Sequence, residues 1–346
     1  MRHPQRLIAT ACLIAGTALA AEIPDAGAEA VAADASVPAV ATKPAPLSVA
    51  APVPTTTVER LLLNDATRAG ATRIVAVGEH GYAIASDDGG KTWTRGAGIR
   101  RTMLTSVRFA DDKAGWAVGH DGLIVATTDG GATWKEQRFA PSDEEPLLAV
   151  LARDATHAIA IGAYGLYLET ADGGATWNDR VLAPEGEEDD RHLNAITTFA
   201  GDKLAIVGES GLVKLSADGG ATWTAATAPY EGSYFGALPA GADGLLIFGL
   251  RGQAFVSRDL GATWEAATGS GPVTLLGGGV GADGGIALVG PAGTVRISSD
   301  GGKTFTPRVS SEVAAFSTAL PLAGGRVLLF GETGTSEVAA PAGAQP

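Results

Sequence analysis

The chain has 346 residues, of which 48 are glycine, 45% hydrophobic and only 18% charged. This composition suits many short strands joined by tight turns and excludes a protein built from long charged helices. Asp and Glu number 38 against 25 Lys and Arg, a formal net charge of −13, which repels a phosphate backbone and excludes nucleic acid as the principal partner.

At the N-terminus, Arg2 and Arg6 precede an apolar run from Leu7 to Ala20 that ends on Ala18-Leu19-Ala20. This is the pattern of a secretory signal peptide over residues 1–21. The run is shorter than the roughly 20 apolar residues of a spanning helix. The mature protein is therefore expected to be periplasmic or otherwise exported, and to meet a membrane only through its partner. Cys12 is the one cysteine and falls inside the signal, so the exported chain carries neither disulfide nor thiol. Residues 22–56 are rich in alanine, with prolines at 24, 38, 44, 46, 52 and 54 and no apolar period. They read as a linker.

From residue 57 onward one phrase recurs six times: SDDGGKTW from Ser86, TTDGGATW from Thr127, TADGGATW from Thr170, SADGGATW from Ser216, SRDLGATW from Ser257 and SSDGGKTF from Ser298. These are Asp boxes. Their aspartates are Asp88, Asp129, Asp172, Asp218, Asp259 and Asp300, about 41 to 46 residues apart, the length of a four-stranded propeller blade. A second phrase, Gly-x-x-Gly after an apolar run, occurs seven times, with first glycines Gly78, Gly119, Gly162, Gly208, Gly249, Gly290 and Gly331. The expected fold is all-β, a seven-bladed propeller over residues 57–340. The last phrase has no box after it, so a strand from near Leu47 to Thr57 is expected to complete blade seven and close the ring.

Within each blade, the first strand is a short apolar stretch such as Leu104-Thr105-Ser106-Val107. The second is continuously apolar, as in GWAVG and AIAIG, because it is buried on both faces between neighbouring blades. The Gly-x-x-Gly supplies positive φ for the second turn. In the box the carboxylate accepts hydrogen bonds from turn amides and the aromatic residue wedges against the sheet, so the box aspartates are read as structural.

Asp boxes also occur in sialidases, which makes a carbohydrate-active hydrolase the alternative function. This sequence lacks the arginine-bearing N-terminal motif of that family, and no G-x-S-x-G, phosphate loop or dinucleotide fingerprint precedes a helix. His80, His120, His157 and His192 are not at zinc-ligand spacing, and no DGG cluster continues into a calcium loop closed by glutamate. Neither metal, cofactor nor catalytic residue is expected. Residues that break the repeat are more informative, because the second turn of each blade and the loop to the next blade share one face. Arg100, Arg101, Tyr164, His192, Tyr230, Tyr234 and Arg251 fall there. They are the residue types that dominate interfaces and form the expected partner-binding set, alongside the acidic loops SDEEP near Asp143 and EGEEDDRH from Glu185 to His192.

The combination of GWAVG, T-x-DGG-x-TW and seven such repeats after a signal peptide resembles the photosystem II stability and assembly factor family. The stretches AYGLYLET, RHLNAI and YEGSYFG are similar to a proteobacterial branch found with resistance–nodulation–division-type exporters. The resemblance covers roughly residues 57–338. It implies a non-enzymatic scaffold that holds a membrane or envelope protein complex: an exporter of that type, or photosystem II where the source is photosynthetic. The family's photosynthetic members use an arginine-rich patch, for which Arg100 and Arg101 are the adjacent pair here.

Overall fold

The computed structural model describes residues 53–54, 58, 61–143, 145–182 and 189–339. The signal peptide and the linker expected over residues 1–56 lie outside these, apart from Val53–Pro54, as do Glu144 of the SDEEP loop and residues 183–188, which take in Glu185 to Glu188 of the acidic insertion. The described chain forms seven antiparallel sheets arranged as the blades of a propeller. Blade one begins with Leu63–Ala69, followed by Arg73–Gly78, Ala83–Ser86 and Thr94–Arg95. Blades two to six repeat this order, with innermost strands Leu104–Phe109, Leu147–Ala152, Leu193–Phe199, Tyr234–Pro239 and Gly277–Val280. Blade seven has Phe316–Pro321, Val327–Gly331 and Gly334–Val338. The innermost strand of blade one contacts those of blades two and seven, so the ring is closed by packing.

The second strands show why these stretches fold as they do. Gly115–Gly119, Ala158–Gly162 and Leu245–Gly249 are buried at every residue, each lying between two neighbouring sheets. The core is accordingly divided into seven clusters, one at each seam between blades. In six of them the aromatic residue of an Asp box packs on the preceding blade; Trp134, for example, lies on Val75 and Val77 of blade one. Burial of such a ring contributes on the order of 2–3 kcal/mol per seam.

The box itself is a hydrogen-bonded turn. In blade three, Asp172 Oδ1 accepts from Thr176 N at 2.9 Å and Thr170 Oγ1 at 2.8 Å, and Oδ2 accepts from Thr176 Oγ1 at 2.6 Å. Five of the six boxes have glycine at the next position but one from the aspartate's predecessor, in the left-handed region; blade five places Leu260 there at φ +61°.

Closure differs from expectation. Val53 and Pro54 pair with Arg95 and Thr94, adding a fifth strand to blade one, whereas blade seven has three strands among the described residues. Val58 and Leu61 are buried in the seam between blades seven and one, against Leu320, Leu328 and Phe330. Val58 and Leu61 thus lie in that seam while Val53–Pro54 pairs with the outer strand of blade one rather than with blade seven.

Candidate functional site

Each blade's second turn is pressed against the loop that leads into its first strand. A Cβ on Gly162 would lie 2.3 Å from Pro146 O, and one on Gly208 would lie 2.1 Å from His192 O. These first glycines of the Gly-x-x-Gly are extended, with φ of −162° at Gly162, so close approach rather than positive φ excludes a side chain. The second glycines do have positive φ, 74° at Gly165. The expectation that the whole motif supplies positive φ is thus corrected for its first glycine.

The residue before the second glycine is also left-handed: His80, Asp121, Tyr164, Ser210, Arg251 and Ala292 all have φ between +48° and +57°. None is glycine, although a side chain in this region costs about 1 kcal/mol. Antiparallel connectivity puts these six turns at one end of the blades and the Asp boxes at the other. One side chain from each of blades one to six is therefore presented around the mouth, and the box aspartates are remote from it.

The sequence-derived set divides accordingly. Tyr164 is 60% exposed and meets His192 edge to face at 5.0 Å. The backbone N of His192 donates to Glu209 Oε2 at 3.0 Å, and its Nδ1 lies 3.6 Å from Glu209 Oε1. Arg251 is exposed, its backbone N donating to Thr274 Oγ1 at 3.3 Å. Arg101 is exposed and makes no ion pair among the described residues. Arg100 is engaged within the fold: Nε and Nη2 donate to Glu136 at 2.6 and 2.9 Å, and the guanidinium stacks 3.6 Å from the centre of Phe139. It clamps blade one to blade two.

Tyr234 is corrected outright. Its side chain is fully buried between blades four and five, where burial pushes its phenol well above the ordinary value, and its hydroxyl donates to Tyr230 O at 3.3 Å. It cannot touch a partner. Tyr230 is half-buried, edge to face with Tyr234 at 6.3 Å, and supports the loop. In the acidic insertion, Asp189 accepts from Arg191 Nε and Nη2 at 2.8 and 2.9 Å; this guanidinium holds its carboxyl below the usual range, so this end of the run is pinned rather than simply solvated.

Below the turns lies a cleft of ≈ 190 Å³ lined by all seven innermost strands. Asn64, Thr105, Leu148, Asn194, Phe235 and Ser317 each sit at a β-bulge one residue into the strand, which re-aims them toward the axis. Asn64, Thr105 and Asn194 donate to the carbonyls of Leu104, Leu147 and Tyr234 in the next blade at 2.7, 2.7 and 2.8 Å. Leu148, Phe235 and the 38%-exposed Leu276 make an apolar arc. Opposite, Asp65 accepts from Ser106 Oγ, Val107 N and Arg108 Nη1 at 2.9, 3.0 and 2.5 Å. The mouth therefore offers an apolar surface, a mainly satisfied polar one and a rim of displayed side chains. Among the described residues no cluster of His, Cys, Asp and Glu is arranged to hold a metal.

Comparison with known proteins bears on this arrangement. Residues 143–270 match the photosynthesis system II assembly factor YCF48 family. Residues 84–95 match the BNR/Asp-box repeat. Among solved structures, a YCF48 bound to D1 peptide is similar at 19% identity over 85% of this chain and 96% of that one, with a TM-score of 0.65. YCF48 from Cyanidioschyzon merolae is similar at 18% identity over 84% and 99%, with a TM-score of 0.65. The WD40 propeller of Doa1 shares 10% identity over 81% and 93%, with a TM-score of 0.64. At these identities the structural likeness carries the fold. No curated protein matches. The resemblance to the YCF48 family is borne out by the matched repeats; an exporter association has no counterpart in these comparisons.

The bulge ring of this YCF48-like propeller was missed in the sequence, although a signal existed. Each ring residue stands the same distance before the first glycine of its Gly-x-x-Gly: 64 before 78, 105 before 119, 148 before 162, 194 before 208, 235 before 249, 276 before 290 and 317 before 331.

Proposed function

We propose that this chain is an exported, non-enzymatic assembly or binding scaffold that holds a segment of a membrane or envelope protein complex at the propeller mouth. The observation that carries the reading is the rim of six non-glycine residues held at positive φ, among them exposed Tyr164 and Arg251. Side chains kept in a strained conformation around an open cleft are kept for contact. The match to the YCF48 family supports a scaffold role, and a similar propeller is known bound to D1 peptide. Export rests on the N-terminal signal pattern. An exporter of the resistance–nodulation–division type is the partner proposed for the proteobacterial branch, and photosystem II where the source is photosynthetic. Against the sialidase-like alternative, sialidases use a tyrosine nucleophile, and among the described residues no tyrosine lines the cleft. The cleft is lined by one carboxylate, Asp65, and that one is occupied by three donors from blade two.

The test is capture from detergent-solubilised envelope membranes by the full chain and by Tyr164→Ala with Arg251→Glu. The double variant should lose at least tenfold in partner affinity, about 1.4 kcal/mol, at unchanged melting temperature. Undiminished capture would remove the mouth from the account.

A further inference from the structure

Six seams are closed by one device. Trp93, Trp134, Trp177, Trp223, Trp264 and Phe305 each lie on the preceding blade. Box carbonyls accept from arginines of that preceding blade: Gly130 O from Arg73 at 3.0 Å, Gly301 O from Arg258 at 3.1 Å, and Gly220 O from Arg180 at 2.7 Å, with Ala221 O also taken by Arg180. The residues just after the preceding blade's outer strand also bond to the box backbone. Ala97 N donates to Ala132 O at 3.0 Å and Trp134 N to Ala97 O at 2.9 Å; Thr268 N donates to Lys303 O at 2.9 Å and Phe305 N to Thr268 O at 2.8 Å.

The seam between blades six and seven receives no box, and four features mark its place. A crevice of ≈ 130 Å³ opens there, its apolar wall made by Ile286, Ala287, Ile297, Leu322 and Val327. Arg308 stands three residues after Phe305, as Arg180 stands three after Trp177. Its Nε is buried with no hydrogen-bond partner among the described residues, and its Nη1 reaches only Pro307 O of its own strand, at 3.2 Å. Val309 stands four residues after Phe305, the position of Ala97 and Thr268 relative to their own box aromatics, and is 93% exposed. The strand Gly334–Val338 has a neighbour on one side only among the described residues.

A buried donor without an acceptor is costly, and an unpaired strand edge is a template for pairing. An apolar slot, a waiting guanidinium and a free edge together have the shape of the missing repeat. We propose that this seam is a docking site for an extended segment of a partner protein, which adds to Gly334–Val338, seats an aromatic side chain in the crevice and gives backbone carbonyls to Arg308. Residues 1–52 and 340–346 contain no Phe, Tyr or Trp, so these stretches do not supply the ring that closes the other six seams. This is strand addition with a side-chain anchor. The crevice walls include Asp283 and Gly325, in the turns between the first and second strands of blades six and seven; these turns lie at the box end of the blades and so away from the mouth.

The probe is a labelled peptide of residues 127–138, the box and outer strand of blade two, titrated into the full chain. Saturable binding is expected, weakened at least tenfold when the peptide carries Trp134→Ala. Arg308→Ala or Ile297→Trp in the protein should weaken it by a similar factor; Arg308→Ala should melt no lower than the parent, because it removes an unpaired donor. Tyr164→Ala with Arg251→Glu should leave peptide binding intact, so that failure of the mouth and failure of the seam are separable. No binding, or equal binding of the two peptides, would overturn the proposal. Tighter binding after deletion of residues 1–52 would overturn it too, by assigning the seam to the chain's own N-terminal segment.

Discussion

Gly162→Ala tests whether the mouth is built by close docking of turn on loop. The added methyl would sit 2.3 Å from Pro146 O and 3.0 Å from Leu147 Cα, backbone atoms that cannot rotate aside. A carbon–oxygen contact needs about 1 Å more, and forcing it open in a packed region costs roughly 1–3 kcal/mol. The same carbonyl accepts Ala163 N at 3.0 Å, and stretching that bond costs about 0.5–1.5 kcal/mol more. Against this, alanine reduces the entropy of the unfolded chain by about 0.4–1 kcal/mol. The net loss is about 0.5–4 kcal/mol, which at roughly 2 °C per kcal/mol for a domain of this size lowers the melting temperature by about 1–8 °C. Thermal and urea denaturation read it. Gly201→Ala is the contrast: φ is +81° with nothing within 4 Å, so its penalty is conformational alone, about 1 kcal/mol. If Gly162→Ala melts with the parent, the turn is not wedged against the loop and the account of the mouth fails.

Leu260→Gly should raise stability by about 0.5–1 kcal/mol, because relief of a leucine at φ +61° outweighs the added freedom of the unfolded chain; a lower melting temperature would show that the leucine packs productively. Tyr234→Ala should destabilise by about 3–5 kcal/mol as a buried aromatic lost from the core, with partner binding per folded molecule preserved; selective loss of binding would restore it to the interface. Acid should unfold the propeller through its boxes. Hydrogen bonds from Thr176 and Thr222 hold the carboxyls of Asp172 and Asp218 at about 2, below their unfolded value near 3.9. Their contribution is therefore present above about pH 4 and lost as pH falls toward 2. Asp172→Asn should make unfolding less steep across that window, and an unchanged pH profile would exclude the boxes as its origin.

The blades were legible because two short phrases at a fixed distance report a covalent repeat, and periodic burial follows from it. Tyr234 shows where residue type misled: aligned on the Gly-x-x-Gly, it occupies the position of Leu63, Leu104, Leu147, Leu193 and Phe316, all buried at strand starts. Register outweighs the interface preference of tyrosine. Arg100 was drawn to the mouth by its neighbour Arg101, but its partner Glu136 lies on the next blade's outer strand, a pairing no local pattern announces. Ring closure was illegible for a related reason: Val53–Pro54 is a two-residue strand, too short to carry a period, and many edges could accept it.

The central claim, that the envelope partner is held at the mouth while the Asp boxes are structural, is tested most directly by site-specific photocrosslinking in the native envelope. A photoreactive phenylalanine at Tyr164, on the rim, should yield a discrete crosslinked partner, and the same group at Asp218, at the far end of the blades, should yield none. A partner captured from Asp218 and not from Tyr164 would contradict the account.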